Sequence, residues 1–67
     1  MEVMLLDNKF KAKRMELNLK VPEAAEKIGI VPSVLWAYEN GSRLPSRETL
    51  LKMSKAYNCT LDYFFSD

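Results

Sequence analysis

The side chains of this sequence that could bind a ligand through charge form two groups of cations. Four of them lie within residues 9–14, and Arg43 with Arg47 makes a second, smaller group. Such groups attract phosphate oxygens, but they are equally typical of a helix face that water solvates. The chain has ten basic and nine acidic residues and a net charge of +1, so the distribution of charge must decide between the two interpretations. The first group consists of Lys9, Lys11, Lys13 and Arg14.

Catalysis and metal binding find little support in the residue types. The sequence has no histidine, no nucleophile beside a candidate base and no glycine-rich phosphate loop, so we expect no enzyme. Its one cysteine, Cys59, cannot form an internal disulfide, and a zinc site would have to combine that thiol with carboxylates. We expect no metal and no other cofactor. Cys59 is predicted to be a small buried hydrophobe, with an intermolecular redox switch as the alternative.

Composition predicts a single globular domain, residues 1–67. Hydrophobic residues make up 48% of the chain, which is ample for a core, although a chain of this length is only marginally stable without efficient helix packing or a partner subunit. The apolar run at residues 3–6 is far too short to cross a membrane and lacks the basic lead of a signal peptide. We therefore expect a cytoplasmic protein with no membrane partner.

The spacing of apolar residues predicts an all-α chain with five helices. The first helix is predicted from Asp7 or Asn8 to Leu17, with Asp7 as its cap. The second and third are predicted over residues 22–28 and 32–40. A fourth follows the cap residue Ser46 and turns residues 50, 53, 54 and 57 inward. A fifth, capped by Thr60, covers residues 61–65 and docks Leu61, Phe64 and Phe65 on the core.

The second and third predicted helices are joined by a turn too tight to be a flexible linker. Ala24, Ala25 and Ile28 share one face of the second helix, which Gly29 can end in a left-handed conformation. Ala25 is small enough for another helix to cross closely over it, and Ile30 fills the angle between the two.

The third predicted helix begins at Pro32. Proline has no N–H, but at the first helical position that N–H would have no partner within the helix anyway. Leu35 and Tyr38 then recur at i and i+3 on its inward side, and Gly41 closes it. This register turns Trp36 outward, toward a ligand. Together the two helices form a helix-turn-helix pattern.

At these residues the chain resembles the lambda-repressor-like family, the Cro/CI-type (XRE) helix-turn-helix DNA-binding proteins. The resemblance covers nearly the whole chain and implies a compact five-helix fold with the helix-turn-helix at helices 2 and 3. The positions that share the family's pattern are Arg14, Leu19, Ala25, Gly29, Leu35, Tyr38, Glu39, Gly41, Arg43, Pro45, Ser46, residues 48–52, Ala56, Leu61, Asp62 and Phe65.

What the resemblance implies is a sequence-specific transcriptional regulator, a small prokaryotic or phage repressor that binds double-stranded DNA as a homodimer with helix 3 in the major groove. It implies that the loop after helix 3 meets the sugar-phosphate backbone through main-chain amides and a basic side chain. It also implies a structural ion pair between Arg14 and Glu39 that ties the first helix to the third, and in this family the matching guanidinium often also approaches a phosphate. The DNA contacts that it implies fall on Lys20, Val21, Pro32, Ser33, Trp36, Ala37, Asn40 and Arg43.

The chain departs from the family's pattern at the start of helix 2 and on the outward positions of helix 3. Val21 stands where the family commonly has a base-contacting glutamine, and Lys20 stands where it has a capping hydroxyl. On helix 3 only Ser33 can form hydrogen bonds with a base edge, while Val34 and Ala37 could touch a thymine methyl group. Helices 2 and 3 both begin with Val-Pro, which removes a side-chain cap worth ~1 kcal/mol at each.

Trp36 leaves three interpretations open: contact with DNA, contact with a protein partner, or partial burial without a role. A protein-binding module that uses the apolar face around Trp36 is therefore the alternative function from another class. An excisionase-like DNA-binding protein is a further alternative, and its wing would require strands after Gly41. Tyr63 and the apolar residues 3–5 are either chain ends packed on the core or a dimer surface.

Overall fold

The apolar side chains that recur at helical spacing converge on one core between five helices. The structure, a computed structural model, describes residues 4–65, and side chains from residue 9 within that range. Its helices are α1 (Met4–Glu16), α2 (Val21–Ile28), α3 (Pro32–Asn40), α4 (Arg47–Ala56) and α5 (Leu61–Phe65). Residues 4–65 contain no strand, and the prediction of an all-α five-helix fold is confirmed.

The corner between α2 and α3 follows the prediction closely. Gly29 adopts φ 95°, and its N–H donates to the Ala25 carbonyl at 2.8 Å, as does the N–H of Ile30 at 3.0 Å. Ala25 itself is fully buried, and α2 packs against α3. On α3, Leu35 is fully buried whereas Trp36 is 62% exposed, which confirms the predicted register.

The beginning of α1 was predicted wrongly. The helix starts at Met4, so Asp7 lies inside it and cannot be its cap. Methionine and leucine are strong helix formers, and they extend the helix past a residue that is only statistically favoured at a cap. The apolar residues 3–5 that were a candidate dimer surface have no described side chains.

The end of α1 also differs from the prediction. The helix stops at Glu16, and Asn18 adopts φ 59°, a left-handed conformation that asparagine tolerates. Leu17 is 40% exposed and does not join the core, although its N–H still donates to the Lys13 carbonyl at 3.1 Å. Leu19, just beyond the turn, packs against the core in its place.

The last two helices carry the predicted caps. The Ser46 hydroxyl accepts the Thr49 N–H at 3.2 Å, and the Thr60 hydroxyl accepts the Tyr63 N–H at 3.3 Å. Phe64 is buried, with its ring centroid 5.0 Å from that of Phe10. Phe65, predicted to dock on the core, is instead 63% exposed, because a five-residue helix has only one face against the core. The residues predicted to face inward from the fourth helix, Leu50, Met53, Ser54 and Tyr57, are all buried, although Tyr57 is the residue that follows α4.

The packing of the helices fixes the orientation of α3. Helix α1 packs on α3 and α5, α2 packs on α3 and α4, and α4 also packs on α5. Because α3 is held by both α1 and α2, its opposite face is presented to solvent. After Gly41 the chain forms α4 and no wing strand, so the excisionase-like alternative is wrong for the described residues. Not one of the helices in residues 4–65 has the length and apolar character needed to cross a membrane.

Candidate functional site

An ion pair joins α1 to α3, the helix whose outward face is the candidate site. The Arg14 Nε lies 2.7 Å from Glu39 Oε2, and Arg14 Nη2 lies 2.9 Å from Glu39 Oε1. A third bond joins Arg14 Nη1 to the Leu19 carbonyl at 2.9 Å. The hydrogen bond to Glu39 raises the pKa of Arg14, so the guanidinium stays charged. Both carboxylate oxygens are engaged, and the pair locks the orientation of α3 relative to α1.

The outward face of α3 is mainly apolar. Pro32, Ser33 and Trp36 are exposed and Ala37 is partly buried, and helical spacing places all four on one side. Ser33 supplies the single hydroxyl among them. The structure therefore brings together these four residues of the predicted DNA contacts, with a chemistry suited to shape and methyl contacts rather than to paired hydrogen bonds.

Neither Lys20, which precedes α2, nor Val31, which precedes α3, caps its helix with its own side chain. Val31 is the residue before α3, and its side chain cannot accept a hydrogen bond. Lys20 precedes α2, where the Glu23 carboxylate accepts the Lys20 N–H at 2.8 Å, so that only one half of a capping box is present. The Lys20 ammonium group is exposed and has no ion pair within residues 9–65. Each helix beginning also carries the positive end of the helix dipole.

A groove of about 320 Å³ runs beside Trp36, between α1, α3 and the start of α2. It gathers three of the predicted DNA contacts, Val21, Trp36 and Asn40, over the Arg14–Glu39 pair. Lys20 and Arg43 do not line it. The complete lining is Lys11, Arg14, Val21, Trp36, Glu39 and Asn40.

The loop after α3 is closed by its own hydrogen bonds. The Asn40 Oδ1 accepts the Ser42 N–H at 2.9 Å, and the Ala37 carbonyl accepts the N–H groups of Ser42 at 3.0 Å and Arg43 at 3.3 Å. The N–H of Gly41 donates to Tyr38 at 3.4 Å. The expectation that main-chain amides of this loop meet a phosphate therefore has to be corrected, because those N–H groups already cap α3. Side chains remain for that contact: the carboxamide nitrogen of Asn40 and the exposed Arg43 guanidinium.

Comparison with known proteins agrees with this geometry. The sequence profile of a family described as helix-turn-helix matches residues 10–64, which include all of α2 and α3. The chain belongs to the lambda-repressor-like helix-turn-helix family. A relative is the HTH-type transcriptional regulator ImmR of Bacillus subtilis (strain 168), which is 40% identical over 60 residues. The aligned part is 90% of this chain and 47% of that protein, so the chain spans about half the length of its relative. No solved structure matches the chain.

In this helix-turn-helix protein, Lys11 is the groove residue that sequence reasoning did not assign to the site. Its signal was present in the sequence, because Lys11 belongs to the first cationic group and stands three residues before Arg14 on the same helix face. The sequence did not show that this face of α1 lies beside Trp36. Lys11 is exposed and makes no ion pair with a side chain of residues 9–65, in contrast to Lys13, whose Nζ lies 3.1 Å from Glu16 Oε1.

The remaining reactive group of this helix-turn-helix domain lies apart from the groove. Cys59 is half-buried, and burial raises the pKa of its thiol, which disfavours the reactive thiolate. No cluster of three or more cysteine, aspartate or glutamate residues suited to a metal occurs among the residues that the structure describes. Tyr63 is half-buried, with Lys9 and Lys13 lying over its ring at 4.8 and 4.6 Å from the centroid.

Proposed function

We propose that this protein is a DNA-binding transcriptional regulator that inserts α3 into the major groove of duplex DNA. The observation that carries the proposal is the orientation of α3: Leu35 is fully buried, while Trp36, the next residue and about 100° further around the helix, is 62% exposed. The width of the major groove, about 12 Å, matches an α-helix with its side chains. Membership of the helix-turn-helix family and the similarity to the transcriptional regulator ImmR support the same role.

Phosphate contacts in this proposal come from the edges of the face. Lys20 lies before α2, and Asn40 and Arg43 lie at the end of α3 and beyond, so donors flank the helix on two sides. Lys20 and Arg43 make no ion pair within residues 9–65, which leaves their charges available to neutralise phosphates. Such contacts position the protein on the duplex and make its affinity depend on salt.

Base recognition in this proposal relies on Ser33 and on apolar contact. A hydroxyl can donate to or accept from several base edges, whereas the side chains of Ala37 and Trp36 pack against thymine methyl groups and sugar edges. The protein would therefore read shape and methyl groups more than hydrogen-bond patterns. The finer proposal is a non-enzymatic cytoplasmic repressor, one domain of residues 1–67, that acts as a homodimer.

The test is binding to random duplex DNA across a salt series, measured by fluorescence anisotropy. The logarithm of the affinity should fall linearly with the logarithm of the salt concentration, and Arg43→Ala should reduce that slope by about one unit. Lys55→Ala is the matched control, because Lys55 is exposed on α4 and lines a different cavity. The control should keep the slope of the parent protein.

A flat salt response would contradict the proposal and favour the second function, a protein-binding module. The observation behind that alternative is the large exposed indole of Trp36 beside the half-buried Val34, since aromatic anchors of this kind are enriched in protein interfaces. A pull-down that captures a partner through wild-type protein but not through Trp36→Ala, together with a flat salt response, would establish it.

A further inference from the structure

We infer that the outward face of α3 recognises the methyl group at C5 of a pyrimidine, whichever base carries it, with Trp36 as the main contact. The inference rests on the proposed function and deepens it, because it names the chemical group that is read and extends it from thymine to 5-methylcytosine. Cytosine methylation therefore strengthens binding wherever a cytosine stands at a methyl-reading position of the bound DNA. Methylated and unmethylated copies of one DNA sequence differ in affinity as a result.

The hydrogen-bonding groups of the outward face are too few to identify a base. The side chains of Pro32 and Ala37 have none. Trp36 contributes a single donor, its indole N–H, and Ser33 contributes one hydroxyl. Strong discrimination between bases needs two groups of one side chain that bond the same base edge together. A hydroxyl donates to the O4 of thymine or accepts from the N4 of cytosine, so Ser33 does not separate the two pyrimidines.

Asn40, at the end of α3, has an amide of the kind that reads adenine, but the loop after the helix already holds it. An amide reads adenine when its oxygen accepts from N6 and its nitrogen donates to N7. The Asn40 Oδ1 accepts the Ser42 N–H at 2.9 Å, and this bond fixes the direction of the amide. Glu39, which could accept from cytosine, has both carboxylate oxygens bonded to Arg14. Apolar contact is therefore the principal means of base recognition that α3 offers.

Trp36 supplies the apolar surface that a methyl group covers. It is 62% exposed, and because the neighbouring Leu35 is fully buried, α3 cannot rotate to hide the indole without bringing a core residue into water. An apolar group of the DNA can cover the indole instead. The C5 position of a pyrimidine lies in the major groove, where thymine and 5-methylcytosine carry a methyl group and uracil and cytosine carry a hydrogen. Burial of one methyl group changes an equilibrium constant about fourfold.

The first experiment changes only the methyl group. A duplex selected for wild-type binding from a random-oligonucleotide pool is prepared with one thymine at a time replaced by uracil, and the affinity is measured by fluorescence anisotropy. At the same positions the T·A pair is replaced by C·G, with and without a methyl group at C5 of the cytosine. We expect uracil to weaken binding about fourfold at one or more thymines, and 5-methylcytosine to bind about fourfold more tightly than cytosine at those positions.

Protein variants assign the methyl contact to the outward face. Trp36→Ala should bind the methylated and unmethylated duplexes equally well at one or more of these positions. Ser33→Ala removes the hydroxyl and should keep both methyl effects. Leu51→Ala truncates an apolar residue of α4 that is 41% exposed, and this control should keep them too. Lower salt strengthens every complex through its phosphate contacts, so the affinity ratios remain measurable in a weakly binding variant.

The outcomes distinguish methyl recognition from the wider function. If wild type binds the selected duplex but 5-methylcytosine binds no more tightly than cytosine at any position, the inference is overturned and DNA binding stands. If the methyl effects occur but Trp36→Ala keeps them at every position, they do not come from the indole and the inference is again overturned. If wild type shows no salt-dependent binding and the selection recovers no duplex, the inference and the proposed function are both overturned.

Discussion

At the residue scale, two buried polar groups, the Glu39 carboxylate and the Tyr57 hydroxyl, differ in whether they are hydrogen-bonded. Glu39 as a whole residue is only 8% exposed, and both of its carboxylate oxygens accept hydrogen bonds from Arg14. The Tyr57 hydroxyl is buried and has no hydrogen-bond partner among residues 9–65. A satisfied buried charge depends on its partner, whereas an unsatisfied hydroxyl is itself a cost to folding. The two side chains should therefore respond oppositely to removal of their polar function.

Glu39→Gln keeps the shape of the side chain but leaves the Arg14 guanidinium without its counter-charge. Both side chains are mostly buried, at 12% exposure for Arg14 and 6% for Glu39. We expect a loss of about 3 kcal/mol in the free energy of unfolding, measured by urea denaturation. Glu26→Gln, on an exposed carboxylate of α2, should stay within about 0.5 kcal/mol of the parent. Equal losses in the two variants would contradict a special role for the ion pair.

Tyr57→Phe removes the unpartnered hydroxyl and should stabilise the protein by ~1 kcal/mol at neutral pH. Burial, followed by the charge of Glu39, raises the pKa of Tyr57 above its ordinary value of 10.0. Above that pH the unfolded chain loses a proton that the folded chain retains, so stability should fall as pH rises. Urea midpoints at pH 7 and at about pH 11 should show a smaller fall in Tyr57→Phe than in wild type. An identical fall in both proteins would exclude Tyr57 as the group responsible.

At the scale of the element, the helix-turn-helix depends on how α3 begins and how α2 ends. Gly29 ends α2 in a left-handed conformation that costs glycine little. Val31, which precedes α3, is 57% exposed and has the extended backbone of a cap residue, with φ −79° and ψ 151°, but no side chain that can cap. The helix that we propose to meet DNA thus begins without one of the usual stabilising contacts.

Val31→Ser should therefore stabilise the protein by roughly 0.5 to 1 kcal/mol, since serine can accept an N–H from the first turn of α3. The exposed valine side chain contributes little burial, so its removal should cost less than the cap gains. Thermal unfolding followed by circular dichroism measures the change. Ser46→Ala, which deletes the existing cap on α4, is the companion variant and should lose ~1 kcal/mol. A decrease in stability for Val31→Ser would show that α3 does not use this position as a cap.

At the scale of the whole molecule, size sets the mode of DNA recognition that we propose. The described chain measures 29 × 23 × 22 Å, which is shorter in every direction than the spacing of about 34 Å between half-sites one DNA turn apart. One copy presents one α3 and can therefore cover one half-site. A longer operator requires a second copy, which agrees with the proposed homodimer.

Selection of bound fragments from a random-oligonucleotide pool should accordingly recover an inverted repeat. We expect half-sites about 10 base pairs apart and two copies of the protein per duplex. Sedimentation of the complex formed with the selected duplex gives the stoichiometry. Recovery of a single unrepeated half-site, bound by one copy, would contradict the dimer while leaving major-groove binding intact.

Much of the fold was accessible before any coordinates. The spacing of Leu35 and Tyr38 set the inward side of α3, and glycine at position 29 indicated where α2 ends. Phe65 was placed on the core wrongly, because an apolar residue near a chain end can satisfy a periodic pattern without reaching its neighbours. Local rules predict which element forms, and they are weakest where an element begins or stops.

The sequence by itself determined the five helices, the tight corner and the outward position of Trp36, because helical periodicity and glycine conformation are properties of neighbouring residues. Only the tertiary structure decided that Lys11 joins Trp36 and Asn40 at one groove, and that the amides after α3 are used internally. Lys11 and Asn40 are 29 positions apart along the chain. Their meeting depends on how α1 crosses α3, and that crossing results from the packing of the whole core rather than from any local pattern.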